Sequence, residues 1–387
     1  MPVINRIAAM KDEIAEWRRH LHQNPELLYD LPVTSAFVEA KLREFGCDEV
    51  VPGIGRSGVV GVIRGSRGDG PVIGLRADMD ALPIHEAADV PWRSGTAGKM
   101  HACGHDGHTA MLLGAAKHMA ETRNFAGSVA LIFQPAEEGG GGGLAMVEDG
   151  MMERFSIREV YGMHNRPGLP VGEFTTRAGP VMAASDTFEI HVRGKSSHAS
   201  RPHTAVDPVL ISAHIVIALQ SLVSRETDPL GSLVVSVTTT HGGTASNVIP
   251  DEVVLGGTVR TLTNERRDHA ERRLAEIAQA TAALFGGSAA VDYRRGYPVT
   301  VNHVDETAFA LSAARRVAGD AGVNDNSPPV MGAEDFSYML ESRPGAFIFI
   351  GNGDTAEVHN SSYDFNDEAI PHGVSYWVML VETALAA

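Results

Sequence analysis

Met100-His101-Ala102-Cys103-Gly104-His105-Asp106-Gly107-His108 gathers a thiol, three imidazoles and a carboxylate into nine residues. Two glycines let the backbone turn tightly among them. The following residues, from Thr109 to Ala120, are small and apolar on one side and predict a helix. The cluster therefore lies on the loop feeding a helix N-terminus, where backbone N–H groups and the helix dipole favour a thiolate. A Cys-x-His pair in that position can place sulfur and imidazole nitrogen on one cation.

Working outward, short apolar strands separated by helices surround this loop. Gly58–Arg64, Pro71–Arg76, Ser128–Gln134, Glu159–Met163 and Ala346–Gly351 read as strands, buried because their apolar runs are nearly continuous. Helices are expected over Arg6–Asn24, over Ser35–Phe45 with Thr34 as cap, and over Glu306–Gly319 and Ala369–Leu385. This alternation predicts an α/β domain with a mostly parallel sheet. From about residue 184 the style changes. Strand Asp186–Arg193 alternates polar and apolar residues. A helix near Pro208–Arg225, strands Ser232–Thr239 and Glu252–Leu262, a helix Glu265–Phe285 and a strand Ala289–Arg295 complete a β-α-β-β-α-β order. That order predicts an inserted α+β ferredoxin-like domain over 184–296. Residues 1–183 and 297–387 form the catalytic domain in this reading.

Composition narrows the function. The 387 residues are 43% hydrophobic and 21% charged, as in a globular chain with room for two domains. The net charge of −16 comes without a Lys/Arg-rich block, which argues against nucleic acid and anionic membrane surfaces as partners. No signal-type or spanning apolar segment is read, and two cysteines cannot build a disulfide framework. Reduced thiols in a cytoplasmic protein are expected.

Asp78, Glu137-Glu138, His164 and His359 each follow a short apolar strand, and Cys103 and His105 precede a helix of the same layer. In open α/β sheets, sites collect outside the carboxyl ends of the strands. Five remote segments can thus meet and offer Cys, His, Glu, His and His. This donor set suits Zn²⁺, with Mn²⁺, Co²⁺ or Ni²⁺ as options, and exceeds one tetrahedral site, so two ions sharing a bridging group are expected. In the Glu137-Glu138 pair one carboxylate can bind metal while its neighbour serves as general base for a metal-activated water.

Several segments together resemble the M20 metallopeptidase family. They are LRADMDALP (75–83), HACGHDGHT (101–109), FQPAEEG (133–139), GMHN (162–165), GKSSHA (194–199), SNVIP (246–250), GTVRT (257–261) and GAEDF (332–336). The chain is most similar to the amidohydrolase branch, which includes hippurate hydrolases, N-acyl-amino-acid amidohydrolases and indole-acetyl-amino-acid hydrolases. The resemblance implies that Cys103, His105, Glu138, His164 and His359 hold two divalent metal ions, with Cys103 bridging, and that Glu137 is the general base. It implies that Asp78 orients a ligand, through His105 or the Cys103 loop. Arg76 stands where other branches carry a ligating His. It further implies that the inserted domain is a lid that makes a homodimer, that His198 polarises the scissile carbonyl, and that Asn247 and Arg260 bind the substrate carboxylate. Gly332 and Glu334 would lie near the site. Asp80 is read as holding a turn.

The implied activity is hydrolysis of the amide of N-acyl amino acids, hippurate-like or carrying another aromatic or aliphatic acyl group. A metallo-dipeptidase or aminopeptidase on the same scaffold is the alternative. A non-catalytic ligand-binding homologue is disfavoured because Glu137 and His359 are both present.

Overall fold

The computed structural model describes residues 3–386. The chain divides into two compact units. One comprises Met1–Val181, Val301–Pro328 and Asp335–Ala387; the other comprises Met182–Thr300 and Pro329–Glu334. The short segment 329–334, read from sequence as part of the catalytic domain, belongs to the second unit.

The first unit is built on an eight-stranded sheet. Its order is Glu49–Ile54, Gly58–Arg64, Ser128–Gln134, Val72–Asp78, Ile157–Pro167, Gly345–Gly353, Phe174–Thr175 and Val323–Asn324. The middle four strands run parallel to one another. The strands at one edge and Phe174–Thr175 add antiparallel pairings. Gly58–Arg64 and Ser128–Gln134 are buried almost throughout, as their unbroken apolar runs require. The parallel register aligns Asp78 with Gln134 and His164 with Phe349, so the carboxyl ends of the four central strands share one edge.

Helix His105–Thr122 is buried for most of its length. Such burial needs a helix without a polar face and with small residues at the tightest contacts. A Cβ on Gly107 would come within 2.3 Å of the Phe365 ring, and one on Gly114 within 2.6 Å of Ile14. Lys11–Gln23 and Ile370–Ala384 pack against this helix.

Three local readings are corrected. The expected helix Arg6–Asn24 is two helices, Asn5–Ala9 and Lys11–Gln23, parted at Met10. Thr34 caps nothing. The second helix is Pro32–Glu44, and the Glu26 carboxylate accepts the backbone N–H groups of Val33 and Thr34 instead, at 3.1 and 2.8 Å. Finally, Ile157–Pro167 extends past His164, so that histidine lies on the strand itself.

The second unit carries an antiparallel four-stranded sheet in the order Leu233–Gly242, Glu252–Thr261, Ala184–Arg193, Ser288–Arg295. Numbered along the chain this is 2-3-1-4, the split βαβ arrangement, with helices Pro208–Arg225 and Asn264–Leu284 packed on it. Alternation in Ala184–Arg193 buries Phe188, Ile190 and Val192. Asp186 is buried and takes the Arg267 guanidinium, the Tyr293 hydroxyl at 2.8 Å and the Gly296 N–H at 3.0 Å. Among the described residues, Pro208–Arg225 alone is long and apolar enough to cross a membrane, a feature the sequence reading passed over. Its Ile211, Ile215, Leu219 and Leu222 pack into the core of this unit, while Val209, Leu210 and Ile217 on its other side are exposed.

Candidate metal centre

Asp78 ends its strand fully buried, and each of its oxygens is engaged. Oδ1 lies 2.6 Å from His108 Nδ1 and Oδ2 accepts from Arg76 Nη1 at 2.7 Å. The sequence reading linked Asp78 to His105 or the Cys103 loop; its hydrogen-bonded imidazole is His108, and His105 Nε2 stands off at 3.7 Å. The backbone N–H of Asn165 donates to His108 Nε2 at 2.9 Å, so His108 carries its proton on Nδ1 and gives it to Asp78. With both nitrogens used, His108 is a support and not a ligand. Arg76, also fully buried, further donates to Gln134 Oε1 at 2.8 Å and to Asp335 Oδ1 at 3.1 Å. Burial disfavours the Asp78 carboxylate, but His105, Arg76 and His108 outweigh it and hold the group well below the usual range.

The candidate ligands present one free face each. His105 Nδ1 donates to the Asp80 carbonyl at 2.8 Å, which leaves Nε2 buried with no hydrogen-bond partner. His164 Nδ1 donates to the Asn165 carbonyl at 2.7 Å, and its Nε2 lies 3.4 Å from Cys103 Sγ. His359 Nε2 lies 3.3 Å from Glu138 Oε1, a buried oxygen without a hydrogen-bond partner. A second nitrogen tied to a carbonyl fixes a ligating imidazole's tautomer and orientation. His359 holds a left-handed backbone, φ 64°, and its N–H donates to the Ala102 carbonyl at 2.6 Å. Such a conformation in a bulky residue is strain that the surrounding loop must sustain.

Two donor sets result, Cys103 with His105 and His164, and Cys103 with Glu138 and His359. In each, the ligand atoms lie within 4.8 Å of one another, and Cys103 belongs to both. The orphaned His105 Nε2 and Glu138 Oε1, with a thiol between the sets, fit a pair of borderline divalent ions bridged by sulfur. Burial and Glu138 push the Cys103 thiol up in the protein alone; a coordinating cation removes that proton. Burial, with His108 beside it, drives His164 well below its usual value, which keeps its ring neutral. Cys103 and Glu138, both close to its ring, lift His359 to about 10.

The Glu137-Glu138 turn is positioned by Asp80. One Asp80 oxygen accepts the N–H of Glu137 at 2.9 Å and the other that of Glu138 at 3.1 Å. Burial raises the Asp80 carboxyl, opposed by hydrogen bonds from His105 and the Glu138 N–H. On the far side, Tyr29 donates its hydroxyl to the Gly140 carbonyl at 2.8 Å. Glu137 is nearly inaccessible, and its carboxylate lies within 4.8 Å of ligand atoms of His105 and Glu138.

The remaining predicted residues belong to the second unit. His198 pairs with Val248 across two short strands, and the Ala199 N–H donates to the Asn247 carbonyl at 3.0 Å, so His198 and Asn247 are neighbours. The Ser200 N–H donates to His198 Nδ1 at 3.1 Å, which puts the proton of the neutral ring on Nε2. Arg260 donates to the Thr258 hydroxyl at 2.8 Å and to that of Ser185, and pairs with no carboxylate among the described residues. The Gly332 carbonyl accepts from Ala183, and Glu334 is buried.

From sequence His108 is one of three unassigned histidines open to a structural hydrogen bond, which it makes here; Asn165 and Tyr363 are supports that the sequence reading does not single out. Asn165 directly follows a ligand, the one signal that could have exposed it; Tyr363 gave none.

A buried donor set of this kind, at the carboxyl edge of a largely parallel sheet with a glutamate at its side, defines a metallohydrolase. Residues 74–383 match the profile of Peptidase family M20/M25/M40. The chain is 41% identical to a hippurate hydrolase of Campylobacter jejuni, over 98% of each chain. It is 39% identical to an N-acetyl-L-cysteine deacetylase of Bacillus subtilis, over 94% of this chain and 86% of that one. The crystal structure of the Bacillus subtilis YXEP protein, described as a dinuclear metal binding peptidase from the M20 family, superposes with a TM-score of 0.86 at 33% identity, over 98% and 99% of the two chains. The chain belongs to the M20 family and is a metal-dependent amidohydrolase.

Proposed function

We propose that the protein hydrolyses N-acyl amino acids, releasing a carboxylic acid and an amino acid, with Cys103, His105, Glu138, His164 and His359 holding two divalent ions. The supporting observation is that one thiol, one carboxylate oxygen and imidazole Nε2 atoms from separate segments cluster within ligand distance, and the buried ones lack other partners. The bound ions supply Lewis acidity and a water of lowered pKa. Glu137 takes the proton of the attacking water and returns it to the leaving nitrogen as the C–N bond breaks. Its place is set through Asp80, which holds both N–H groups of the turn. His198, protonated on Nε2, donates to the carbonyl oxygen as negative charge develops there. Arg260, with no carboxylate partner of its own, binds the substrate carboxylate with Asn247. Asp78 keeps the surrounding imidazoles in register.

The second unit acts as the lid and as the dimer contact in this proposal. Val209, Leu210 and Ile217 on helix Pro208–Arg225 are exposed apolar residues that a second copy can cover. Cys47 and Cys103 are both free, which supports a cytoplasmic setting.

The test is a panel of hippurate, N-acetyl amino acids, indole-acetyl amino acids and glycyl dipeptides, assayed with Mn²⁺, Zn²⁺, Co²⁺ or Ni²⁺. Turnover of acyl conjugates well above that of dipeptides is expected; the reverse ranking favours the peptidase alternative. Glu137→Gln is expected to keep its metal and lose turnover, and His198→Ala to keep metal and fold with a depressed kcat.

A further inference from the structure

Asn165 is buried, and its polar atoms are spent on the metal centre. Its backbone N–H donates to His108 Nε2 at 2.9 Å and its carbonyl accepts from His164 Nδ1 at 2.7 Å. Its side-chain Nδ2 donates to the Cys103 carbonyl at 2.6 Å, and Oδ1 accepts the Tyr363 hydroxyl at 2.7 Å. Tyr363 is fully buried and follows His359 in the same loop. That loop is therefore stitched to the Cys103 loop twice, by the His359 N–H on the Ala102 carbonyl and by Tyr363 through Asn165 to the Cys103 carbonyl. The two stitches do not serve all ligands equally. His105 and His164 are fixed by a helix and a central strand. His359 sits in a loop, in left-handed backbone, with a side chain 53% exposed. That loop is also anchored by the Ala87 N–H on the Ser361 carbonyl at 2.7 Å, but the two stitches are what tie it to the Cys103 loop.

We propose that Tyr363 and Asn165 are positioning residues that set the affinity of one of the two cation positions, that of Cys103, Glu138 and His359, while leaving the Cys103, His105 and His164 position nearly unchanged. This rests on the two-ion reading of the centre. Removing the Tyr363 hydroxyl cuts one stitch and leaves Asn165 its bonds to the Cys103 carbonyl, to His164 and to His108, the last from both the backbone N–H and Nδ2, at 2.9 and 3.1 Å. Supporting partners of this kind are worth about 10- to 100-fold in metal affinity.

The experiment is calorimetric titration of metal-stripped full-length protein with Mn²⁺, for the wild type and Tyr363→Phe. The wild type is expected to show two classes of site. Tyr363→Phe is expected to weaken one class about 10- to 100-fold, to leave the other within about twofold, and to need correspondingly more Mn²⁺ for half-maximal turnover. The metal-stripped protein should lose some melting temperature, because Asn165 Oδ1 is left buried without its donor, but a purely structural role would not weaken one class of site and spare the other. If Tyr363→Phe does not fold, Asn165→Ala removes the side-chain contacts to Tyr363, the Cys103 carbonyl and His108 Nε2 while keeping the backbone donor to His108, and the class that contains His359 is expected to weaken the more of the two. Equal weakening of both classes, or none, overturns the proposal. A wild type that takes up no Mn²⁺, or one ion only, overturns the two-ion reading itself.

Discussion

Replacing Asp80 by Asn isolates the geometry of Glu137, the proposed general base, from the metal. The Asp80 carboxylate accepts two backbone N–H groups, one per oxygen, at 2.9 and 3.1 Å from Glu137 and Glu138. Asn keeps the shape but has one acceptor; its NH₂ must face the other N–H, donor against donor. At least one hydrogen bond to a charged group is lost, worth about 1.5–3 kcal/mol. If that energy is what keeps Glu137 aligned, kcat falls roughly 10- to 150-fold, since each 1.36 kcal/mol is tenfold. The Asp80 carbonyl that fixes His105 survives the substitution, so metal uptake should persist. Steady-state kinetics on a hydrolysed N-acyl amino acid, paired with metal analysis of the same sample, gives the answer. Wild-type kcat in a fully metal-loaded Asp80→Asn protein refutes the argument, and so does a rate loss that merely tracks lost metal.

Chelation is expected to abolish turnover and lower the melting temperature, and any of Mn²⁺, Zn²⁺, Co²⁺ or Ni²⁺ to restore both in part, because an ion bound only by the folded chain stabilises it; chelator-resistant turnover would contradict the metal assignment. Gly104→Ala puts a Cβ 2.2 Å from Asn165 Nδ2 and 2.5 Å from the Tyr363 hydroxyl oxygen at a φ of +93°, so a stability loss of about 1–3 kcal/mol or more should appear in denaturant titration. Burial opposes the charged ring of His22, but hydrogen bonds to Asp106 and Glu86 outweigh it and lift the group to about 9. A folded pKa raised above the unfolded value of 6.5 gives stability that is complete below that value and is lost as pH rises through about 9. The stability gap between wild type and His22→Asn, measured by denaturant titration, should therefore be widest near pH 6 and narrow above pH 9.

Much of this was written locally in the chain. The apolar run of Ser128–Gln134 has one reading, and its bounds are those of the strand. The edge strand Glu49–Ile54 escaped notice because Pro52 and Gly53 interrupt a half-exposed segment, where no periodicity survives. The candidate ligands were legible because Glu138 and His359 follow strands, Cys103 and His105 stand at the start of a helix, and all are residue types with few other uses there. Their supports were not. Whether Asp78 meets His105 or His108 depends on which face of a helix the strand end reaches, a tertiary fact. Glu26 displaced Thr34 as cap for the same reason: the carboxylate arrives from a preceding loop that no cap motif describes.

The proposed donors come from positions 103 to 359, with the whole 184–296 segment between His164 and His359. During synthesis Cys103 leaves the ribosome long before His359. A nascent chain that has not reached residue 359 can offer only Cys103, His105, Glu138 and His164, so the second proposed cation position is completed only once His359 has emerged. Products truncated before residue 359 are then born unable to complete it, whatever the metal supply of the cell.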